Sequence, residues 1–334
     1  MLSIIRMHAR TKTARNRNAS NIAAKRGVIT QAVLALAMED GHGSGFGEAY
    51  MPWMRIRRRL SSPVSNLMLL PTPVHARPLH LLARTESAAA LVAAWLGATE
   101  IREQFPLWPE VHLAPFSGIH DGDGAERHML PGLMSIAEDL GIKHGFYPGT
   151  KLPYVATTDL LIRFGDASRQ RFAFWACKPA EQLRRGARGA ERRWERIRLE
   201  EAYAAQCGSV HRVVDGEQFE RRLTDNLDWL TPLRSEWLKY EGSAVLEDFS
   251  GYCAEQLRTV PVRVAVAVAA EKNGLDRANM LKLAWLLFRI ATWRGDFDID
   301  LSQPLLTTKM ARTGGARFKQ ALTEALAPVA GVAP

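Results

Sequence analysis

The chain has 334 residues, 47% of them hydrophobic and 24% charged, which is long enough for two domains and ordinary for a globular protein. Its formal net charge is +9, and the arginine-rich basic set favours an anionic partner, with nucleic acid as the first candidate. A protein that is basic without such a partner is the alternative. No apolar run is long enough to span a bilayer, and no signal peptide is expected. The three cysteines lack metal-like spacing, which argues against a zinc site or a disulfide framework and fits a reducing, cytoplasmic compartment.

The chain begins with a basic segment. Residues 1–28 contain seven Lys or Arg and no acidic residue, so we expect a solvated arm that could lie along a DNA backbone. Residues 30–38 have the pattern of a helix. Glycine at every second position of residues 41–47 then predicts a flexible loop, and because no strand precedes it, a phosphate-cradling loop is not indicated.

The following segments alternate between strand and helix patterns. We predict, in chain order, extended segments at 50–60 and 65–70, a helix at 80–96, a strand at 100–107 and a helix at 131–140. Glu86 interrupts a helix whose other residues are mainly small and apolar. The ordinary interpretation is a glutamate on the exposed face of such a helix. The loop before the helix at 131–140 contains His120, Asp121, Asp123 and His128, which suggest a metal-site hypothesis. Their DGDG segment is, however, common turn composition.

Residues 154–179 predict two strands joined by a polar turn. The first strand, 155–164, carries Asp159 in its middle, and the second, 171–177, is followed by Lys178. Because side chains alternate along strands, pairing could bring this acid and this lysine to one edge of a largely apolar sheet. A buried carboxylate needs a cation, a metal or hydrogen bonds, and a carboxylate with a lysine is the arrangement of metal-dependent phosphodiester nucleases. A surface ion pair is the alternative.

The pattern after the hairpin completes an α/β unit and then becomes helical. Residues 180–205 predict a long basic helix, weakened by Gly186 and Gly189, with either a solvated face or contacts to phosphates. A strand at 209–214 completes an α/β core around a small mixed sheet. Further helices are predicted at 219–229, 244–256, 261–270 and 277–290, followed by strand-like pieces at 291–309. Several helices followed by a β-wing suggest a winged-helix domain.

Seven segments match a known family in order and approximate spacing across residues 41–215. They are YMPW at 50–53, LHLLARTE at 79–86, EIREQFPL at 100–107, IAEDLGIKH at 136–144, VATTDLLI at 155–162, CKPAEQL at 177–183 and ERIRLEEAY at 195–203. Together they resemble the TnsA endonuclease family, the subunits of heteromeric bacterial transposases that nick the 5′ ends of the element. The resemblance implies a restriction-endonuclease-like fold.

The resemblance also implies an active site made of a glutamate, an aspartate and a lysine. By motif these are Glu86, Asp159 and Lys178, with Mg²⁺ held by the two carboxylates and Mn²⁺ as its substitute. The family often has glutamine two residues before the lysine, where this chain has Ala176. The backbone carbonyl of Cys177 and waters are therefore expected to complete the metal shell, because Mg²⁺ keeps several waters.

Two further positions bear on this site. Ala83 stands where the family usually has a serine before the helix glutamate. Glu200 falls where the family often has a helix glutamate, so it is a candidate catalytic residue that could assist a second metal or hold Lys178, with a surface acid as the alternative.

The family's partners are transposon-end DNA, an integrase-like transposase subunit and an AAA+ ATPase regulator. We therefore expect a basic arm at 1–40, a restriction-endonuclease-like catalytic domain at 41–217 and a winged-helix-like partner-binding domain at 218–334. Two alternatives remain. One is a DNA-binding adaptor with a decayed nuclease fold, for which Ala176 is the best support, and the other is a different nuclease of the same fold, such as a restriction or junction enzyme.

Overall fold

A computed structural model describes residues 29–56, 67–115, 129–165, 171–215, 218–277, 280–309 and 314–327. The basic arm at 1–28 lies outside these ranges, and so does the metal-site hypothesis for His120, Asp121, Asp123 and His128.

The elements below are those of the described residues. Strands β1 to β8 are Met68–Leu70, Leu79–Leu81, Ala98–Leu107, His112–Leu113, Met129–Leu130, Ala156–Phe164, Arg171–Cys177 and Val210–Val214. Helices α1 to α5 are Gln31–Glu39, Arg84–Trp95, Leu133–Asp139, Ala180–Leu183 and Ala190–Gln206. Helices α6 to α11 are Arg221–Leu230, Arg234–Tyr240, Ala244–Leu257, Val262–Lys272, Leu281–Arg294 and Gly314–Leu326.

A mixed four-stranded sheet lies at the centre of the molecule. Its strand order is β3-β6-β7-β8, with antiparallel pairing except between β7 and β8, which are parallel. Pro106 lies within β3, where it is tolerated because β3 is an edge strand. The predicted α/β class with a small mixed sheet flanked by helices is confirmed.

Side chains from the sheet alternate between two apolar layers. Leu160, Ile162 and Trp175 pack in one layer with α2 and the C-terminal helices. Leu161 and Phe174 pack in the other with side chains from α3 and α5. This alternation follows from the two-residue period of a strand, and it explains why both strands of the hairpin read as nearly continuous apolar runs.

The hairpin of β6 and β7 agrees with its predicted bounds to within one residue. The two strands pair from Phe164 opposite Arg171 to Leu160 opposite Trp175. Beyond that point the β6–β7 ladder ends, and the backbone N–H of Cys177 donates to the side chain of Asp159.

The helix predicted at 80–96 begins later than expected. Residues Leu79–Leu81 form a strand that pairs with Met68–Leu70, part of the extended segment predicted at 65–70. Leu79 and Leu81 are fully buried on either side of His80, and that alternation was hidden in the helical pattern. The helix itself is α2, which starts at Arg84.

The glycine-rich loop at 41–47 is folded against β3 rather than extended into solvent. The backbone N–H of Gly47 donates to Oε1 of Glu100 at 2.7 Å. A Cβ atom on Gly43 would lie 2.4 Å from the Pro106 ring. The predicted flexible loop is therefore a packed turn whose positive φ angles require glycine.

The basic helix predicted at 180–205 is two helices. The chain breaks between α4 and α5 in a turn where Gly186 and Gly189 have φ of 85° and 74°. Arg193 secures this turn, since its Nη1 donates to the carbonyl oxygens of Gln182 and Arg188. The left-handed glycines therefore end the helix rather than only weaken it.

The C-terminal region is helical, as predicted, but the β-wing is not found. Within the described residues 280–309 no strand is present: α10 extends to Arg294, Gly295 ends it with a φ of 97°, and a non-helical segment follows. Phe297, Ile299 and Leu301 of that segment are buried against the neighbouring helices, which explains their strand-like alternation. The short helix α7 and the helix α11 were not predicted.

The apolar layer around α2 continues into α6 and the later helices. The proposed division at residue 217 remains a prediction. Across the described ranges, no helix has the length and apolar character needed to cross a membrane.

Candidate active site

Glu86 lies in the first turn of α2, where it is 5% exposed. The residue at the helix cap, Ala83, makes no side-chain hydrogen bond. Instead, Oε2 of Glu86 accepts a hydrogen bond from the backbone N–H of Leu82 at 2.7 Å. The same oxygen accepts a second bond from Nε2 of Gln104 at 3.3 Å. The helix start and β3 therefore fix this carboxylate together.

Asp159 lies in β6, immediately beyond the end of the β6–β7 ladder. Its Oδ2 accepts a hydrogen bond from the backbone N–H of Cys177 at 2.7 Å and an ion-paired hydrogen bond from Nζ of Lys178. The side chains of Asp159 and Lys178 are 12% and 23% exposed. The structure thus brings the acid and the lysine of the two strands together at the edge of the ladder.

Glu86, Asp159 and Lys178 share one electrostatic environment. Burial raises the pKa of Glu86 to about 8, and the negative charge of Asp159 adds to this rise. Burial also raises the pKa of Asp159, although Lys178 opposes that shift. Burial alone would lower the pKa of the Lys178 ammonium, but Asp159 and nearby Glu200 outweigh it and hold the pKa above its usual value. Two carboxylates that repel one another thus lie beside a protonated lysine.

Glu200 belongs to the same cluster and is not a surface acid. It lies on α5, is 4% exposed, and contributes negative charge at both Asp159 and Lys178. Its Oε2 lies 3.8 Å from Nε2 of His211 on β8. His211 was not singled out from the sequence, because a lone histidine in a short strand carries no signal.

Gln104 was also missed as a site residue, although it is part of the IREQFPL segment that supports the family resemblance. Its side chain is buried and reaches Glu86 from β3. At the position where the family often has glutamine, Ala176 is fully buried and paired with Val213. The amide at this site therefore comes from a different strand.

The two carboxylates fit a hydrated divalent cation. In the part of the chain that the structure describes, all hydrogen bonds to the Glu86 carboxylate go to Oε2, and all those to the Asp159 carboxylate go to Oδ2. Oε1 of Glu86 and Oδ1 of Asp159 therefore remain available to bind a cation. Mg²⁺ prefers such hard oxygen ligands, takes one or two carboxylates and keeps several waters. Among the described residues, no group of three or more His, Cys, Asp or Glu side chains is arranged to hold a metal. The donor set therefore suits Mg²⁺ better than a fully protein-ligated ion.

A basic surface follows Lys178 in the chain and runs from the end of α4 into α5. We call it the basic band, and its exposed members are Arg184, Arg185, Arg188, Arg192, Arg196 and Arg198. Trp194 lies among them with 44% of its surface exposed. Exposed arginines with an interleaved aromatic side chain are typical of surfaces that contact nucleic acid.

Fold and site together define a mixed-sheet α/β protein with two buried carboxylates and a lysine at the sheet edge. The chain is similar to the transposon Tn7 transposition protein TnsA of Escherichia coli, with 27% identity over 229 residues that cover 68% of this chain and 72% of that relative. This similarity supports the resemblance to the TnsA family that the motifs indicate. No model of a known protein family matches the chain.

Proposed function

We propose that this protein is a Mg²⁺-dependent DNA endonuclease subunit of a transposase that cleaves the 5′ ends of a transposon during cut-and-paste transposition. The observation that carries the proposal is the arrangement of Glu86, Asp159 and Lys178, which come from a helix start, the middle of β6 and the end of β7. The similarity to a transposition protein named TnsA supports the biological setting. The catalytic unit would have a restriction-endonuclease-like fold.

Glu86 and Asp159 would hold the cation, together with waters and the backbone carbonyl of Cys177. When bound, Mg²⁺ (or Mn²⁺ in its place) would polarise the scissile phosphate and stabilise the leaving 3′ oxygen. Lys178 stays protonated because Asp159 and Glu200 hold its pKa above the usual value. It therefore acts as a donor that orients the attacking water and offsets phosphate charge, and not as a general base. Glu200 would keep Lys178 charged and in place.

The products would be a 5′ phosphate and a 3′ hydroxyl. The basic band would track the DNA backbone next to the site, because exposed arginines form forked hydrogen bonds to phosphates. A nuclease of this kind needs control, and we propose that it comes from an integrase-like transposase subunit and an AAA+ ATPase regulator. Residues 218–334 would engage the regulator.

Strand cleavage of transposon-end DNA, assayed with the partner subunits and with Mg²⁺ or Mn²⁺, tests this proposal. Wild-type protein should nick at the 5′ ends only when a divalent cation is present. Asp159→Asn and Lys178→Ala should each remove cleavage while DNA binding is retained. Full activity in either variant would reject the site assignment, and cleavage in EDTA would reject the metal.

A second function is a DNA-binding adaptor that has lost catalysis. Ala176 supports it, since alanine cannot contribute a metal ligand where the family often has glutamine. The adaptor predicts DNA and partner binding with no cleavage in either metal, so the same assay separates the two functions.

A further inference from the structure

Gln104 has a backbone conformation found at no other non-glycine position among the described residues. Its φ is 48°, in the left-handed region where Cβ crowds the neighbouring carbonyl oxygen. The conformation therefore opposes folding. Strain of this kind persists only where the surroundings impose it, and it concentrates at functional sites.

The register of the sheet puts this strained residue opposite Asp159. β3 and β6 are paired on both sides of this position but not at it. The carbonyl oxygen of Gln104 instead accepts a hydrogen bond from the backbone N–H of Trp53 at 3.3 Å. The irregularity in β3 therefore lies at the point where that strand passes the acidic residue of the site.

The side chain of Gln104 is held at both ends. It is 1% exposed, its Oε1 accepts from the Thr157 hydroxyl at 3.3 Å, and its Nε2 donates to Oε2 of Glu86 at 3.3 Å. Oε2 of Glu86 acts as an acceptor, since it also accepts a hydrogen bond from the backbone N–H of Leu82. The amide therefore presents its nitrogen to Glu86, which leaves its oxygen to accept from the Thr157 hydroxyl.

We propose that Gln104 is a positioning residue of this site. Its strained backbone aims the side-chain amide at Oε2 of Glu86, holds that carboxylate beside Asp159 and leaves Oε1 for the cation. This role explains how the site still contains a side-chain amide although Ala176 stands where the family often has glutamine. The inference rests on the proposed function only in treating the carboxylates as cation ligands, and its first readouts need no cleavage.

Two substitutions separate the effect of the side-chain amide from the effect of the backbone strain. Gln104→Ala and Gln104→Gly both remove the amide, but only glycine adopts a positive φ without strain. We expect both variants to bind Mn²⁺ about tenfold more weakly than wild type, as loss of a supporting hydrogen bond does at metal sites. We also expect Gln104→Gly to melt at a higher temperature than Gln104→Ala, the reverse of the usual order in a strand.

Ala173→Gly is the matched control, because Ala173 is fully buried in β7 and pairs regularly with its neighbours. It should lower the melting temperature and leave Mn²⁺ affinity unchanged. Melting is followed by calorimetry on the metal-free protein, and Mn²⁺ binding by electron paramagnetic resonance. The inference is overturned if both Gln104 variants bind Mn²⁺ within about twofold of wild type, which is far below the expected loss. It is also overturned if glycine is no more stable than alanine at position 104.

Cleavage assays on the same preparations distinguish the two ideas. If wild type fails to cleave but Mn²⁺ affinity still falls in both Gln104 variants, the proposed function fails and the role of Gln104 stands. If wild type cleaves and both variants keep its rate and Mn²⁺ affinity, the role of Gln104 fails and the proposed function stands.

Discussion

Arg77 and Glu103 form a buried ion pair that ties the glycine-rich loop to the edge strand of the sheet. Nη1 of Arg77 donates to Oε1 and Oε2 of Glu103 at 2.8 and 3.0 Å, and the Glu103 side chain is fully buried. Nε and Nη2 of the same guanidinium donate to the carbonyl oxygens of Gly47 and Ile101. One arginine therefore links the loop and β3 directly before the strained Gln104.

Removing the cation of this pair should be costly. Arg77→Met leaves the Glu103 carboxylate buried and unpaired, so we expect a loss of about 3–5 kcal/mol in the free energy of unfolding, measured by denaturant titration at pH 7. Breaking the exposed Arg221–Asp225 pair with Arg221→Met should change it by less than about 1 kcal/mol. Equal effects of the two substitutions would contradict the structural role given to Arg77.

His75 should make the fold sensitive to acid. Its Nε2 accepts a hydrogen bond from the backbone N–H of Ile101, and burial, with help from the charge of Arg77, lowers the pKa of His75 from 6.5 to about 4. The unfolded chain takes up a proton near pH 6.5, whereas the folded protein resists until about pH 4. This contribution to stability is therefore complete above pH 6.5 and is lost as the pH falls from 6.5 to about 4.

The matching variant is His75→Gln, whose amide oxygen can accept the same bond without titrating. From pH 7.5 to pH 5, wild type should lose about 2 kcal/mol more unfolding free energy than this variant. Identical pH profiles of the two proteins, recorded by denaturant titration, would show that His75 is not held neutral by the fold.

Two glycines of the loop should differ in their tolerance of alanine. Both have positive φ, but a Cβ on Gly45 would lie 2.4 Å from the carbonyl oxygen of Ala49, whereas one on Gly47 would meet no atom within 4 Å. Gly47→Ala should therefore cost only the conformational strain, about 1–2 kcal/mol. Gly45→Ala should lower the free energy of unfolding clearly more, because the backbone at Ala49 must also move to make room for the Cβ atom. A thermal unfolding experiment that ranks the two variants in the opposite order would contradict this prediction.

The basic band should contribute to DNA binding by neutralising phosphates. Replacing Arg184 and Arg188 with glutamine should make the slope of log affinity against log salt shallower by about 0.9 for each phosphate that the variant no longer neutralises, measured by fluorescence anisotropy on duplex DNA. Arg221 at the start of α6 and Arg258 directly after α8 are both exposed and provide a control with the same charge change. A slope reduced equally by both pairs would indicate a general charge effect and no role specific to the basic band.

The sequence predicted best those features that depend on local pattern. β6 and β7 were recognised because β-branched and aromatic residues are concentrated between turn signals. Glu86 was assigned to the correct helix even though its start was placed too early. That error arose because the pairing of Leu79–Leu81 with Met68–Leu70 depends on tertiary structure, and no local propensity reports it.

Features imposed by tertiary structure were missed. The φ of Gln104 follows from its neighbours in β3, from β6 opposite and from Trp53, none of which a helical or strand period encodes. Glu200 could be read as a surface acid because the sequence does not reveal that its side of α5 faces the sheet. The apolar segment after Gly295 alternates like a strand but is buried against helices, so period alone assigned it wrongly.

The central claim is that Glu86 and Asp159 hold one divalent cation between them. Anomalous diffraction from crystals soaked in Mn²⁺ tests it most directly. We expect one strong peak about 2 Å from a carboxylate oxygen of each residue, and no such peak in Asp159→Asn. A saturating soak that leaves no peak between these two side chains, while Mn²⁺ binds elsewhere or nowhere, would contradict it.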